Sequence, residues 1–251
     1  MLRPPRDHDI LEDHEGRLYT VVGNIHPPNK LVAYIKYIPT NVETPWKRNN
    51  IYYERVLRTY GVKSMHKYAS MFQQIEWDPI FNTYIPVIRY SQISRYYYPE
   101  ERLIEVISRA SDELEITLLN FIDVIKECTN ITYSSLGITG SLLPKIHNPK
   151  ISDLDVIIYG CKEAKEFVEL CSDNFRKVIL TSDKLINQSR IYGIDVTTLR
   201  KILAPYKKLL INDKEVNILF VDKMQHSAYG SEIYLNLHPI ELEVTVYGGD
   251  C

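Results

Sequence analysis

Two aspartates, Asp153 and Asp155, stand at the entrance of the apolar, β-branched run Val156 to Ile158. The run predicts a buried strand over 153–159, and side chains alternate in direction along a strand, so both carboxylates face the same side. Two carboxylates held close together repel each other unless a proton or a cation lies between them. The pair is therefore a candidate metal site, with a loop cap or a solvent-facing strand end as the plainer alternative.

A glycine and a serine, Gly140 and Ser141, come before the aspartates, and a loop of eleven residues separates the two pairs. Glycine lets a backbone approach a phosphate closely, and serine offers a hydroxyl beside free amide groups, above all where a short helix begins. For the pair alone, a simple turn after a strand is the better interpretation. Joined to the two carboxylates, it indicates phosphoryl or nucleotidyl transfer, which needs Mg²⁺ and donors that hold a triphosphate.

The order Gly140-Ser141, eleven residues, Asp153-Leu154-Asp155-Val156 resembles the signature of the nucleotidyltransferase superfamily related to DNA polymerase β. The whole chain, including the turn His-Pro-Pro-Asn at 26–29, is also similar to archaeal nucleotidyltransferase-domain proteins of uncharacterised function. The resemblance implies Mg²⁺ or Mn²⁺ on the two aspartates and a nucleoside triphosphate (NTP) at the Gly-Ser pair. The implied reaction moves a nucleoside monophosphate from the NTP to a hydroxyl, and the acceptor is left open among RNA, protein and small molecules.

Two departures from the family pattern matter for this expectation. Many members have a basic or polar helix right after Gly-Ser, whereas this chain continues with Leu142, Leu143 and Pro144. Lys145 is the nearest cation, and it is either a phosphate ligand or a solvated loop lysine.

The second departure concerns a third acid, which polymerase-type members place on a neighbouring strand to activate the attacking hydroxyl. The best-matching position in the strand 215–221 holds Asn217, whose amide cannot act as a general base. Glu215, two residues earlier on the same face, is the substitute candidate for a catalytic role, and an exposed hairpin glutamate is the plain alternative.

Three hypotheses follow from these residues. The leading one is a Mg²⁺-dependent nucleotidyltransferase. The second is a nucleotide-binding or regulatory module that keeps the two-acid site and lacks the general base. The third is a structural partner in a larger complex, with the fold kept as a scaffold.

The composition bounds the class of protein. The chain has 251 residues, 45% of them hydrophobic, and a formal net charge of -2, which argues against broad electrostatic binding to nucleic acid but allows a local basic patch. The N-terminus is too polar for a signal peptide, and no apolar run reaches membrane-spanning length, so no membrane partner is expected. The four cysteines lack metal-finger or paired spacing, which predicts free thiols and a cytoplasmic location.

The helices and strands that the sequence predicts around these residues indicate an α/β (α+β) fold. A nucleotidyltransferase core with a short mixed sheet and flanking helices is expected over 99–223, after a smaller N-terminal α/β module over 1–98. The segment 224–251 adds a C-terminal strand and is either truncated or naturally short. Within the core, the sequence predicts one long amphipathic helix over 99–128, strands over 132–139 and 153–159, a helix over 162–175, one or two helices over 183–204, a hairpin over 207–221 and a last strand over 240–247.

In the N-terminal module, Pro27, Pro28 and Asn29 indicate the turn of a β-hairpin. The expected elements are an irregular arm over 1–16, hairpin strands over 17–24 and 30–38, short helices over 52–60 and 64–75, and a short strand over 87–90. Neither face of the second hairpin strand is polar, which predicts cover on both sides. The module's aromatic residues and four cations form a candidate polynucleotide surface, with a packed core and solvated charges as the alternative; the cations are Lys36, Lys47, Arg48 and Arg55.

Overall fold

A computed structural model of the chain describes residues 3–57, 71, 73–223, 227–241, 243 and 245. Within these residues the fold is a mixed α+β arrangement with an eight-stranded and a five-stranded sheet, which confirms the predicted fold class. Strands before residue 98 build the first sheet, and strands after residue 135 build the second. No helix among the described residues is long and apolar enough to cross a membrane.

The first sheet has the strand order β4-β5-β3-β2-β1-β8, and β7 pairs with both β3 and β6. Its strands are β1 (Ile10–Asp13), β2 (Leu18–Val21), β3 (Lys30–Thr40), β4 (Trp46–Arg48), β5 (Ile51–Arg55), β6 (Ile75–Asp78), β7 (Thr83–Arg89) and β8 (Ile93–Tyr97). The hairpin of β2 and β3 is present as predicted, and Asn29 in its turn has a positive φ of 62°. The residues from Leu31 to Ile35 are all buried, so β3 is covered on both faces.

Two expectations for the N-terminal module are wrong. The predicted arm contains β1, because Ile10 and Leu11 are fully buried and pair with β2 and β8. The helix predicted over 52–60 begins instead as β5, whose pairing with β3 and β4 overrides the charged residues that suggested a helix. Residues 58–60 and most of the helix predicted over 64–75 lie outside the described residues.

The second sheet has the order β11-β12-β13-β10-β9. Its strands are β9 (Leu136–Ile138), β10 (Leu154–Tyr159), β11 (Arg176–Lys177), β12 (Lys208–Ile211) and β13 (Lys214–Val221). The strand β10 lies between β13 and β9, and it runs parallel to β13 and antiparallel to β9. The predicted strand at the aspartates and the predicted hairpin of β12 and β13 are therefore both present.

The helix predicted over 99–128 is two helices, α1 (Pro99–Arg109) and α2 (Glu113–Cys128). The break occurs because Asp112 caps α2, where its carboxylate accepts hydrogen bonds from the backbone N–H groups of Leu114 and Glu115 at 2.9 and 3.0 Å. The helices that follow in the described part of the chain are α3 (Cys161–Glu166), which continues as a π-helical turn (Phe167–Cys171), α4 (Ser182–Tyr192) and α5 (Val196–Ile202). Residues 240, 241, 243 and 245 do not lie in a strand, and the rest of the strand predicted over 240–247 is outside the described residues.

The helices α1 and α2 cover one face of the second sheet and form its main core with apolar side chains of β10 and β13. At the edge of this core Cys128 and Cys171 form a disulfide, with their Cα atoms 5.5 Å apart. The expectation of free thiols is wrong for this pair, because the ends of α2 and the π-helical turn meet only in the folded chain.

The loop after β9 joins the two sheets. Leu143 and Ile146 are buried against side chains of the first sheet, among them Tyr37 and Tyr53. The backbone N–H of Lys47 in β4 also donates to the carbonyl of Ile146 at 3.0 Å. The loop that begins with the Gly-Ser pair is thus held by both sheets.

Candidate metal and nucleotide site

The two aspartates lie at the head of β10 beside Asn217 of β13. Asp155 and Asn217 are direct neighbours in the parallel register of the two strands. The Asn217 amide nitrogen donates to Asp153 Oδ2 at 2.8 Å and to Asp155 Oδ1 at 2.9 Å. One amide group therefore bridges both carboxylates, using each of its two N–H bonds.

The electrostatics of the pair favour a cation. Burial raises the pKa of Asp155, and the nearby charge of Asp153 raises it further. Lys36 of β3 opposes this shift, as does the hydrogen bond from Asn217. Asp153 is exposed and Asp155 is half-buried, so an ion at this point is accessible from solvent and faces two carboxylate oxygens.

Gly140 gives the Asp155 carboxylate its space. Its φ of 66° lies in the left-handed region, and a Cβ atom at this position would overlap the Asp155 carboxylate. The neighbouring Thr139 donates its backbone N–H to the Asp155 carbonyl at 2.9 Å, which fixes the loop against β10. Glycine is required at position 140 for two reasons, the short distance to the Asp155 carboxylate and the positive φ of the backbone.

Ser141 is buried, and its hydroxyl donates to Ser152 Oγ at 3.3 Å. Ser152 in turn accepts from the backbone N–H of Asn148 at 3.0 Å, so both ends of the loop are tied together just ahead of the aspartates. Residues 140–145 form turns, and no helix begins at the Gly-Ser pair. The loop therefore lacks the helix N-terminus that would have strengthened a phosphate site, and Ser141 lines the cleft that holds the aspartates.

The structure does not bring Lys145 to the aspartates. Its Nζ atom lies 2.5 Å from Glu105 Oε1 of α1, on the side of the loop that faces away from them. The hydrogen bond from Lys145 lowers the pKa of Glu105 to about 2. The lysine has a φ of 60°, in the left-handed region, and its side chain lines a separate groove together with Glu105.

Glu215 lies on the same strand face as Asn217 and lines the same cleft. Its Oε1 atom is 3.5 Å from Lys184 Nζ of α4. Among the described contacts, the group next to both aspartates is the amide of Asn217 and not the carboxylate of Glu215. Glu215, the predicted substitute base, therefore lies two residues before Asn217 on β13, and in the described contacts it touches neither aspartate.

Lys208 and His8 near the aspartates were missed in the sequence, and Lys36 was considered there only as part of a polynucleotide surface. Lys208 of β12 is directly opposite Asn217, so Lys208, Asn217 and Asp155 form one row across three strands. Lys36 and His8 come from the first sheet and interact electrostatically with Asp155. Burial lowers the pKa of His8, and its carbonyl accepts from the Thr139 hydroxyl at 2.8 Å. The register of the β12–β13 hairpin is the signal that points to Lys208.

These residues line a cleft of about 990 Å³ between the two sheets. The first sheet contributes residues such as Lys36 and Trp46 to one wall. The second sheet contributes the aspartates, Asn217 and Lys208 to the other. A volume of this order is sufficient for a nucleotide and part of a second substrate.

A second group of metal-ligand residue types consists of Asp112, Glu115 and His147. Asp112 caps α2 and contacts His147 Nε2 at 2.7 Å, and Glu115 is ion-paired with the buried Arg102. Because these carboxylates already serve a helix cap and an ion pair, the group has a structural explanation without an ion.

Neither a family model nor a solved structure matches the chain. Among curated proteins it is similar to an uncharacterized protein of the archaeon Methanocaldococcus jannaschii. The two are 28% identical over 267 aligned positions, which cover 98% of this chain and 77% of the relative.

Proposed function

We propose that this protein is a Mg²⁺-dependent nucleotidyltransferase that moves a nucleoside monophosphate from an NTP to a hydroxyl acceptor. The observation that carries the proposal is the convergence of Asp153 and Asp155 against Gly140 at the head of β10, inside a cleft with cationic side chains. A cytoplasmic location accompanies this proposal, since NTPs are cytoplasmic substrates.

The donor set fits Mg²⁺ or Mn²⁺. Both ions prefer oxygen ligands, and Mg²⁺ is typically held by one or two carboxylates together with water and substrate phosphates. Asp153 and Asp155 supply such carboxylates, and the Asn217 amide can turn its oxygen toward an ion after releasing them. The bound ion would neutralise negative charge on the phosphates and favour attack at phosphorus.

The residues of the chain would bind and orient the substrates. Ser141 and the cations Lys36 and Lys208 line the cleft near the aspartates, where the negative charge of a triphosphate is stabilised. In the proposed reaction the acceptor hydroxyl oxygen forms a bond to the α-phosphorus. The bond from that phosphorus to the pyrophosphate oxygen breaks, pyrophosphate leaves, and the hydroxyl proton passes to water in the open cleft.

The direct test uses α-³²P-labelled NTPs with Mg²⁺ and a panel of RNA, protein and small-molecule acceptors. We expect label transfer by the wild-type protein and a loss of at least about a hundredfold in the Asp153→Ala/Asp155→Ala variant. The matched control is Asp123→Ala/Glu127→Ala, which removes two exposed carboxylates of α2 outside the cleft and should retain activity. Unchanged transfer in the Asp153→Ala/Asp155→Ala variant would refute the assignment of the site.

Nucleotide binding without transfer is the second candidate function, and Asn217 favours it. The amide stands beside both carboxylates where a general base is expected, and it cannot accept the hydroxyl proton. If this candidate is right, the wild-type protein binds Mg²⁺–NTP in calorimetry without transferring label. The Asn217→Asp variant, which restores a third carboxylate, should then gain transfer. Absence of NTP binding would leave only the scaffold hypothesis.

A further inference from the structure

We infer that the hydroxyl acceptor is a single-stranded polynucleotide that lies along the cleft between the two sheets. This inference rests on the proposed function and names the acceptor that the reaction leaves open. It comes from three properties of the cleft: its charge, the placement of that charge on two walls, and the aromatic rings between the cations.

The cleft is basic although the chain as a whole has a net charge of -2. Apart from the two metal-site aspartates, its acidic side chains are Asp213 and Glu215. Its lysine and arginine side chains outnumber these and are Lys36, Arg55, Lys150, Lys207, Lys208 and Lys214. A local excess of positive charge on an acidic protein is the electrostatic feature expected of a surface that binds a phosphate backbone.

The cations extend beyond the point where the triphosphate would sit. Lys36 and Lys208 are the ones placed near Asp155, by electrostatic interaction and by strand register. Lys150 stands in the loop before the aspartates, and Lys207 precedes β12, so both lie on the rim formed by the second sheet. Both are exposed, which suits repeated contacts along a flexible anionic chain better than enclosure of one small ligand.

Aromatic rings stand among these cations. Trp46 of β4 is half-buried on one wall, and Tyr192 at the end of α4 is 65% exposed on the other. Stacking of bases on such rings combined with backbone contacts is the general mode of single-strand binding. The candidate polynucleotide surface predicted from sequence is divided by the fold, because Lys36 and Arg55 line this cleft, whereas Lys47 and Arg48 line a groove behind the Gly-Ser loop.

A protein acceptor fits the cleft less well. Extended peptides bind by adding a strand to an open sheet edge, or as helices in an apolar groove. The strands of the second sheet that line this cleft, β10, β12 and β13, are interior to their sheet, and the cleft walls carry lysines and arginines in place of an apolar groove.

The first test measures fluorescence anisotropy of a labelled 12-nucleotide RNA without NTP or Mg²⁺, over a series of salt concentrations. We expect Lys150→Glu/Lys207→Glu to weaken binding at least about tenfold and to reduce the slope of log K against log salt by about 1.4, the value for two phosphate contacts. The control variant Arg109→Glu/Lys162→Glu makes the same charge change outside the cleft and should bind as wild type. Equal weakening in both variants would overturn the inference.

The second test addresses the rings. We expect Tyr192→Ala to weaken RNA binding about fivefold or more, and Tyr192→Phe, which keeps the ring, to leave it unchanged. Poly-glutamate of equal charge should compete much less than single-stranded RNA, and equal competition would overturn the inference. Duplex RNA of the same length should bind more weakly than single-stranded RNA, and equal or tighter duplex binding would overturn the inference.

Calorimetry with Mg²⁺–NTP separates this inference from the proposed function. The Lys150→Glu/Lys207→Glu variant should bind Mg²⁺–NTP within about twofold of wild type while RNA affinity falls. NTP binding without RNA binding, or transfer of label to a protein acceptor in place of RNA, would overturn the polynucleotide assignment and leave nucleotidyl transfer standing. Loss of NTP binding in the wild type would instead remove the proposed function itself.

Discussion

The amide of Asn217 does for two neighbouring carboxylates what a cation would otherwise do, because it places positive N–H dipoles between them. Asn217→Asp would put a third negative charge in contact with Asp153 and Asp155 and would remove both hydrogen bonds. We expect the free energy of unfolding to fall by about 2 kcal/mol without metal and to be largely restored by millimolar Mg²⁺. Thermal unfolding with and without Mg²⁺ measures this.

The comparison variant for that experiment is Asn217→Ala, which removes the same hydrogen bonds without adding charge. Mg²⁺ should stabilise it more than the wild type, because the two aspartates lose their bridging donor, but less than Asn217→Asp, which carries a third negative charge. Equal rescue of both variants would show that the repulsion among the carboxylates is not the cause.

Gly140 allows a second prediction at the level of a single residue. Gly140→Ala forces an L-residue into positive φ, at about 1 kcal/mol, and also displaces the Asp155 carboxylate. Gly193→Ala carries the same kind of backbone strain, at a φ of 69°, but its Cβ meets no atom within 4 Å. We therefore expect similar modest losses of thermal stability from strain, and loss of Mg²⁺–NTP binding in calorimetry only for Gly140→Ala.

At the scale of elements, the turn between β2 and β3 contains a pH-dependent contribution to stability. His26 Nδ1 accepts the backbone N–H of Val32 at 3.3 Å, and burial lowers the pKa of His26 from 6.5 to about 4. The unfolded chain therefore binds a proton between these values that the folded chain does not. The free energy of unfolding should fall as pH falls through this window, by up to about 1.4 kcal/mol per pH unit.

Chemical denaturation between pH 7 and pH 4 checks this contribution from His26. His26→Asn keeps an acceptor for Val32 but has no titrating proton, so its stability should depend less on pH across the window. A pH dependence identical to that of the wild type would assign the effect to other groups.

The junction of α1 and α2 depends on a buried ion pair between Arg102 and Glu115. Arg102 also donates its Nε–H to the carbonyl of Leu142 at 3.2 Å, which connects the pair to the Gly-Ser loop. Glu115→Ala leaves Arg102 without its most buried partner, and we expect a loss of about 3 kcal/mol in the free energy of unfolding. The exposed neighbour Glu113, changed to Ala, should alter stability by less than about 0.5 kcal/mol.

Local signals in the sequence predicted the elements whose cause is local. The β-branched run after Asp155 and the Asn-Asp turn before β13 are present as expected, because alternation and turn chemistry act within a few residues. The strand β5 and the break at Asp112 were missed. The strand β5 depends on pairing with β3, which is distant in sequence. The break at Asp112 is a helix cap that lies within an uninterrupted helical repeat of apolar residues.

The residues of the candidate site were likewise predictable where their contacts are local and unpredictable where they are not. Asp153, Asp155 and Gly140 are near one another in sequence, and their convergence follows from one strand and one loop. Lys36 and His8 reach Asp155 from the other sheet, and Lys145 is drawn away by Glu105 of α1. Such contacts depend on how the two sheets pack, which no short-range pattern in the sequence encodes.

At the scale of the whole molecule, the N-terminal segment is fastened to the second half by charge. The Arg3 guanidinium contacts Asp9 at 2.7 Å and Glu100 of α1 at 2.6 Å, and Arg6 lies over the Tyr159 ring of β10. These contacts combine with the apolar contacts of the Gly-Ser loop. The two halves of the chain therefore stabilise each other in two ways: through the contacts of Arg3 and Arg6, and through the apolar packing of the Gly-Ser loop.

This mutual support predicts the behaviour of a chain that is split after residue 98. Each fragment would expose the apolar side chains that the other normally covers, among them Leu143 and Ile146. We expect the fragments to be poorly soluble when expressed alone and to copurify when expressed together. Leu143→Asp/Ile146→Asp in the second fragment should abolish copurification, and independent solubility of both fragments would contradict the prediction.

The loop that carries Gly140 and Ser141 also limits how freely the two halves of the chain can be exchanged between proteins. Because Leu143 and Ile146 are buried against the first sheet, the second half of the chain cannot be joined to an unrelated N-terminal half that lacks a matching apolar surface for these two side chains. Recombination that exchanges the N-terminal half would disturb the loop of Gly140 and Ser141 at the same time. The two halves are thus expected to be inherited together. A chimera should fold only when the loop and the part of the first sheet that packs against Leu143 and Ile146 are exchanged together.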